Sequence, residues 1–212
     1  MPIAKSTTAI VIHCSAGFGD VESIKKFWKS KGWTNVGYHM LVDLNGVIHV
    51  LSNFDNITNG VLGHNSSIIN ICYIGGVEVV NKALKAKDTR TEKQKNSLIH
   101  CINTALKWLH EKGCDMDKLE IKGHRDFSPD KNGSGVIESW ERIKECPCFD
   151  AIPEYEYLLK TYKIKAENTH TVVAGDTLFG IAKKYNMTIN EIRTLNWING
   201  EVLKVGQILI IK

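Results

Sequence analysis

Two histidines and a cysteine stand where a folded chain could bring them to one point. His13 ends the apolar run Thr8-Ala9-Ile10-Val11-Ile12, His124 follows Leu119-Glu120-Ile121-Lys122-Gly123, and Cys146 follows a long polar loop. Two imidazoles and a thiolate are the donors that hold catalytic zinc while a fourth position stays open for water. The three are far apart in sequence and no His-x-x-x-His pair exists. Taken singly, each histidine therefore reads better as a satisfied polar residue near the surface. Cys148, two residues beyond Cys146, leaves ligand identity open between the two thiols.

Between His124 and Cys146 lies a second constellation. Asp130, Asn132, Ser134, the Val136 carbonyl and Glu141 fall at the oxygen-donor positions of an EF-hand loop, with Gly135 at its turn. The chemistry is calcium binding by hard oxygen donors. The competing reading is a glycine-rich surface turn, since no helix clearly precedes the loop.

The elements that must position these residues follow from hydrophobic period and punctuation. Residues 8–12 form a short buried strand, and Asp20 to Lys31 carries Val21, Ile24, Phe27 and Trp28 at helical spacing before Gly32. Tyr38 to Val42 and Val47 to Leu51 flank Asn45-Gly46, the signature of a hairpin. Ile68 to Ile74 is a further apolar strand stopped by Gly75-Gly76, and Thr91 to Glu111 is the longest helical pattern. A short strand over residues 119–122 and a helix around Pro153 to Tyr162 complete the first part. Interleaved strands and helices predict an α/β fold, a mixed central sheet flanked by helices, over residues 1–162. A polar linker is expected over 163–169. Residues 170–212 read as strand, helix, helix, strand, a small βααβ domain.

Bulk properties narrow the function classes. The 212 residues are 43% hydrophobic and 24% charged, with a net charge of +4, which describes an ordinary globular chain able to bury a core. Dispersed basic residues at a pI near 8.6 give no argument for a nucleic-acid partner. No apolar run approaches the roughly 20 residues of a membrane span. The start Met1-Pro2-Ile3-Ala4-Lys5-Ser6 has no apolar segment behind a charged one, so synthesis in the cytoplasm without a signal peptide is expected. In that setting the six cysteines read as free thiols or metal ligands rather than disulfides.

Four ordered motifs carry a resemblance: Ile12-His13-Cys14-Ser15-Ala16, Gly37-Tyr38-His39, Gly123-His124-Arg125-Asp126 and Lys144-Glu145-Cys146-Pro147-Cys148-Phe149-Asp150. Over about residues 7 to 160 the chain resembles the type 2 N-acetylmuramoyl-L-alanine amidases, in particular the phage lysozyme-like branch, whose fold is shared with peptidoglycan recognition proteins. The resemblance implies zinc held by His13, His124 and Cys146, with Tyr38 and Lys144 catalytic. Its Cys-Pro-x-Phe-Asp frame selects Cys146 over Cys148. Related enzymes often carry a histidine just before the strand at 68–74, where this chain has Asn59-Gly60. Substrate contacts on that rim are expected instead from His64 and Asn65, although a plain surface histidine is an equal reading of His64.

The tail, with Gly175-Asp176-Thr177-Leu178 and Val205-Gly206-Gln207, resembles a LysM module. The resemblance implies a shallow groove for N-acetylglucosamine chains built from Gly175, Asp176, Thr177, Leu178 and the loop after Trp197. Ile181, Ala182, Ile189, Ile192 and Leu195 are its core by periodicity. The expected function is zinc-dependent hydrolysis of the amide between N-acetylmuramic acid and L-alanine, by an endolysin that reaches the wall after release. The expected partner is peptidoglycan, with no protein partner. The rival is a non-catalytic peptidoglycan-binding protein on the same fold. Such proteins lose the thiolate ligand that Cys146 supplies here. A wall-recycling amidase would more often carry aspartate there and has no use for a LysM tail.

Overall fold

The computed structural model describes residues 3–196, 198, 200 and 202–211. They divide into two compact units, Met1–Leu159 and Lys160–Lys212. In the first, helix α1 (Ile3–Ser6) leads into strand β1 (Ala9–Cys14), helix α2 (Val21–Ser30) and strands β2 (Met40–Val42), β3 (Ile48–Val50) and β4 (Ile68–Tyr73). A hairpin, β5 (Val77–Val80) and β6 (Ala83–Ala86), precedes helix α3 (Glu92–Glu111), strand β7 (Glu120–Gly123) and the start of helix α4 (Ala151–Glu167), whose residues from Lys160 on belong to the second unit.

The sheet has the order β3-β2-β4-β1-β7 and is parallel except for the β2–β3 pair. Every residue of β1 and β4 is buried, as near-continuous apolar runs require of strands covered on both faces. Register then decides which side chains meet. His13 lies opposite Cys72, Val11 opposite Asn70, and Leu41 opposite Cys72. Because side chains alternate along a strand, His13, Asn70 and Cys72 share one face.

Helix ends are set by side-chain caps. Asp20 accepts the Ser23 N–H at 2.8 Å, and Thr91 with Gln94 forms a capping box that starts α3. Gln94 also donates Nε2–H to the Ile74 carbonyl at 2.8 Å, which ties α3 to the end of β4. The sequence pattern did not announce the β5–β6 hairpin. All four residues of β6 are exposed, so no burial alternation marks them.

In the second unit, β8 (Thr169–Thr171) pairs antiparallel with β9 (Ile208–Ile210), and α5 (Leu178–Lys184) and α6 (Ile189–Asn196) lie between them in sequence. Its core is Val172, Leu178, Ile181, Ala182, Met187, Ile192, Leu209 and Ile211, with Ile189 and Leu195 packed against it. The stretch expected as a linker is helical up to Glu167, because α4 continues through it.

Candidate metal centre and active site

Strand β1 carries His13 into the interior, where 1% of it is exposed. One ring nitrogen, Nε2, lies 2.8 Å from Asn70 Oδ1, and the other, Nδ1, faces Cys146 Sγ at 3.9 Å. Among the described residues, one group of three or more His, Cys, Asp or Glu side chains can share an ion. It is His13, His124 and Cys146, whose ligand atoms all lie within 4.8 Å of one another. Two nitrogens and one sulfur at that spacing fit a zinc ion with an open fourth position.

The Cys146 loop is pinned from several sides. Arg125 N–H donates to the Cys146 carbonyl at 2.7 Å, and the Tyr73 hydroxyl donates to the Pro147 carbonyl at 2.7 Å. The Arg125 guanidinium pairs with Asp150. Phe149 sits under the Arg90 guanidinium and against Tyr73 and Tyr155. These contacts give the Phe149-Asp150 half of the motif its role: it anchors the segment that presents the thiol. Gly123 is glycine because a Cβ there would collide with the Pro147 ring. The Cys146–Pro147 peptide is cis. Cys14 N–H points at Cys146 Sγ from 3.2 Å, whereas Cys148 Sγ turns to the Gly76 carbonyl at 3.1 Å and lies 3.7 Å from Cys14 Sγ. The two thiols thus face different surroundings. All six cysteines are free.

Burial, the neighbouring His124 and the Lys144 ammonium lower the pKa of His13 to about 3. Burial first, then Lys144, lowers that of His124 to about 4. Both imidazoles are therefore neutral at physiological pH, the state in which nitrogen can ligate a metal. The Tyr38 ring stands 5.1 Å from His13 and 5.5 Å from Trp28. Burial, followed by the neighbouring thiols, pushes the Tyr38 phenol well up, so it keeps its proton. Lys144 is exposed and, with Trp33, Asn59, Leu62, His64 and His124, lines a cleft of about 700 Å³.

Residues 4–147 match the N-acetylmuramoyl-L-alanine amidase family, and residues 170–212 match the LysM domain. The endolysin of Escherichia phage T7 is 31% identical over 150 residues, covering 69% of this chain and 83% of that relative. The chain belongs to the N-acetylmuramoyl-L-alanine amidase family. Among solved structures, the amidase LysC from Clostridium intestinale URNW has the same fold, with a TM-score of 0.51 at 20% identity, covering 75% of this chain and 87% of that one. The tail is 50% identical over 44 residues to the probable peptidoglycan endopeptidase LytE of Bacillus subtilis, covering 21% of this chain and 13% of that relative. This protein is thus a peptidoglycan amidase joined to a LysM domain. No helix among the described residues is long and apolar enough to cross a membrane.

The remaining sequence-derived sites of the amidase take varied positions. His64 is exposed on the cleft and packs on Phe127 at 4.8 Å, while Asn65 Oδ1 accepts the Val61 N–H at 2.8 Å and so braces the rim. In the 130–141 loop, Asp130 accepts N–H groups from Gly133, Ser134 and Gly135, and Asn132 Oδ1 accepts that of Ser134. Ser134 Oγ donates to the Val136 carbonyl. Glu141, 1% exposed, accepts from Lys131 N, Asn132 N and Glu138 N. The loop's carboxylates therefore close it on itself through backbone donors. In the LysM domain, Gly175 has φ +92°. Asp176 Oδ2 accepts from Val173 N and meets His170 Nε2 at 2.7 Å, and Thr177 caps α5. Leu178 belongs to the core, which leaves Gly175 to Thr177 as the outward part of that loop. Trp197 lies outside the described residues. Sequence reasoning missed Asn70, Thr58 and the anchoring Arg125–Asp150 pair. The available signal for Asn70 was one polar residue inside an otherwise apolar strand.

Proposed function

We infer that this amidase cleaves the amide between N-acetylmuramic acid and L-alanine, with zinc as its cofactor, in the manner expected of an endolysin. The observation that carries the reading is the convergence of His13, His124 and Cys146 at the edge of an open cleft. Zinc held there supplies two things, a water made acidic enough to attack at neutral pH and polarisation of the scissile carbonyl. The protein supplies the rest. His13 and His124 are held neutral by burial, so no proton has to leave them before they ligate. Lys144 stands in the cleft as a point charge for the oxygen that becomes negative as the amide carbon turns tetrahedral. Tyr38, which keeps its proton, serves as a hydrogen-bond donor that orients the attacking water or the carbonyl, not as the base.

The LysM domain holds the enzyme on N-acetylglucosamine-containing glycan, through Gly175, Asp176, Thr177 and the surface around Leu178. Tethering raises the effective concentration of the catalytic unit at the polymer without altering its site. The enzyme acts on the wall after release from the cytoplasm. Digestion of purified sacculi tests the assignment. New L-alanine amino termini without new reducing sugar ends are expected. Binding to sacculi without new termini would convert the protein into a recognition module.

A further inference from the structure

Behind the metal centre, the polar side chains of His13, Asn70, Thr58 and His39 run in a line. Their exposures are 1%, 0%, 0% and 0%, so none is solvated, and each must find its partner in the protein. His13 Nε2 meets Asn70 Oδ1 at 2.8 Å, Asn70 Nδ2 meets Thr58 Oγ1 at 2.9 Å, and Thr58 Oγ1 meets His39 Nδ1 at 3.2 Å. Backbone groups anchor the far end. His39 Nε2 lies 3.0 Å from the Asn56 carbonyl, and His39 Nδ1 receives the Asn70 backbone N–H at 2.9 Å.

These anchors set the polarity of every link. A carbonyl oxygen only accepts, so His39 Nε2 carries the proton. A backbone N–H only donates, so His39 Nδ1 is bare. The Thr58 hydroxyl therefore donates to His39, which leaves its oxygen to accept from the Asn70 amide group. Asn70 Oδ1 is then the atom turned to His13, and it accepts the His13 Nε2–H. The last consequence falls on the metal centre: the His13 Nδ1 lone pair is free and faces Cys146. With the opposite amide orientation, Asn70 Oδ1 would take the Thr58 proton, and a bare oxygen would face the bare His39 nitrogen. Gly60 lies over the carboxamide, where any Cβ would collide with it.

We propose that Asn70 is a positioning residue of this amidase, and that the Asn70–Thr58–His39 relay fixes the tautomer and ring orientation in which His13 ligates. The inference rests on the zinc reading of His13, His124 and Cys146. Partners of this kind are worth about 10–100-fold in metal affinity. Asn70→Leu removes the acceptor for His13, whereas Thr58→Val keeps it and breaks the next link.

The test uses the full chain. Zinc affinity is measured by chelator competition, and the His13 tautomer by imidazole nitrogen NMR of the zinc-free protein. Wild type is expected to show the proton on Nε2. Asn70→Leu is expected to bind about 10–100-fold more weakly with mixed tautomers, and Thr58→Val to fall between. An Asn70→Leu protein that folds and binds zinc like wild type would overturn the inference and leave the metal reading intact. Wild type that takes up no zinc would overturn the metal reading itself. Should Asn70→Leu fail to fold, Thr58→Val decides: a wild-type tautomer and affinity there refute the relay.

Discussion

Acidification of the zinc-free enzyme should expose the cost of burying two neutral imidazoles. In the unfolded chain each histidine titrates near its ordinary value of about 6.5. In the fold the values for His13 and His124 are about 3 and about 4. Above pH 6.5 both states carry neutral rings, and this contribution to stability is fully present. As pH falls below that, protons bind the unfolded state first, and stability drops until the folded rings also titrate at about 3 to 4. At pH 5 the loss is RT ln(1 + 10^1.5), about 2 kcal/mol per ring. Half-buried His124 contributes at most that amount, so the pair accounts for about 3–4 kcal/mol between pH 8 and pH 5. Urea unfolding of chelator-stripped wild type and His124→Gln, followed by tryptophan fluorescence at both pH values, isolates one ring. Contributions from the LysM domain and from carboxylates cancel in the difference. His124→Gln is expected to lose 1–2 kcal/mol less than wild type (roughly, from the same linkage). Identical losses would refute the claim that the site holds His124 neutral.

Other outcomes follow from the same geometry. Cys146→Ser should lose zinc and activity together, while Cys148→Ser, whose thiol faces Gly76, should keep most of both by metal analysis and sacculus lysis. Lys144→Ala should lower kcat about 10²–10³-fold with little change in KM, because its partner charge exists mainly in the transition state. Glu141→Gln, which disturbs an acceptor of three backbone N–H groups, should cost about 2–3 kcal/mol without calcium present and leave zinc content intact. A calcium-dependent rise in Tm in wild type that the variant lacks would instead assign those oxygens to an ion. Removing residues 168–212, which leaves α4 whole, should spare hydrolysis of a soluble muramyl peptide and weaken lysis of intact walls. Equal lysis would remove the targeting role of the LysM domain.

Much of this protein was legible before folding, because its signals are local. Apolar runs at 8–12 and 68–74 became β1 and β4, Asp20 and Thr91 became helix caps, and Asn45-Gly46 became the turn between β2 and β3. The ordered motifs around His13, Tyr38, His124 and Cys146 named the family, and the periodicity of 170–212 named the core of the LysM domain. What only the tertiary structure decided depends on register and on approach through space. Asn70 reads as an odd polar residue in an apolar strand until β4 pairs with β1 and turns its carboxamide to His13. Glu141 reads as either a calcium ligand or part of a glycine-rich turn, and only the folded loop shows that both its oxygens take backbone donors. Leu178 reads as part of a groove until the helix it starts turns it into the core. Cys146 and Cys148 are two residues apart and chemically alike, yet one faces His13 and the other the Gly76 carbonyl. Side-chain direction at such positions is set by partners tens of residues away, and composition and spacing carry no record of them.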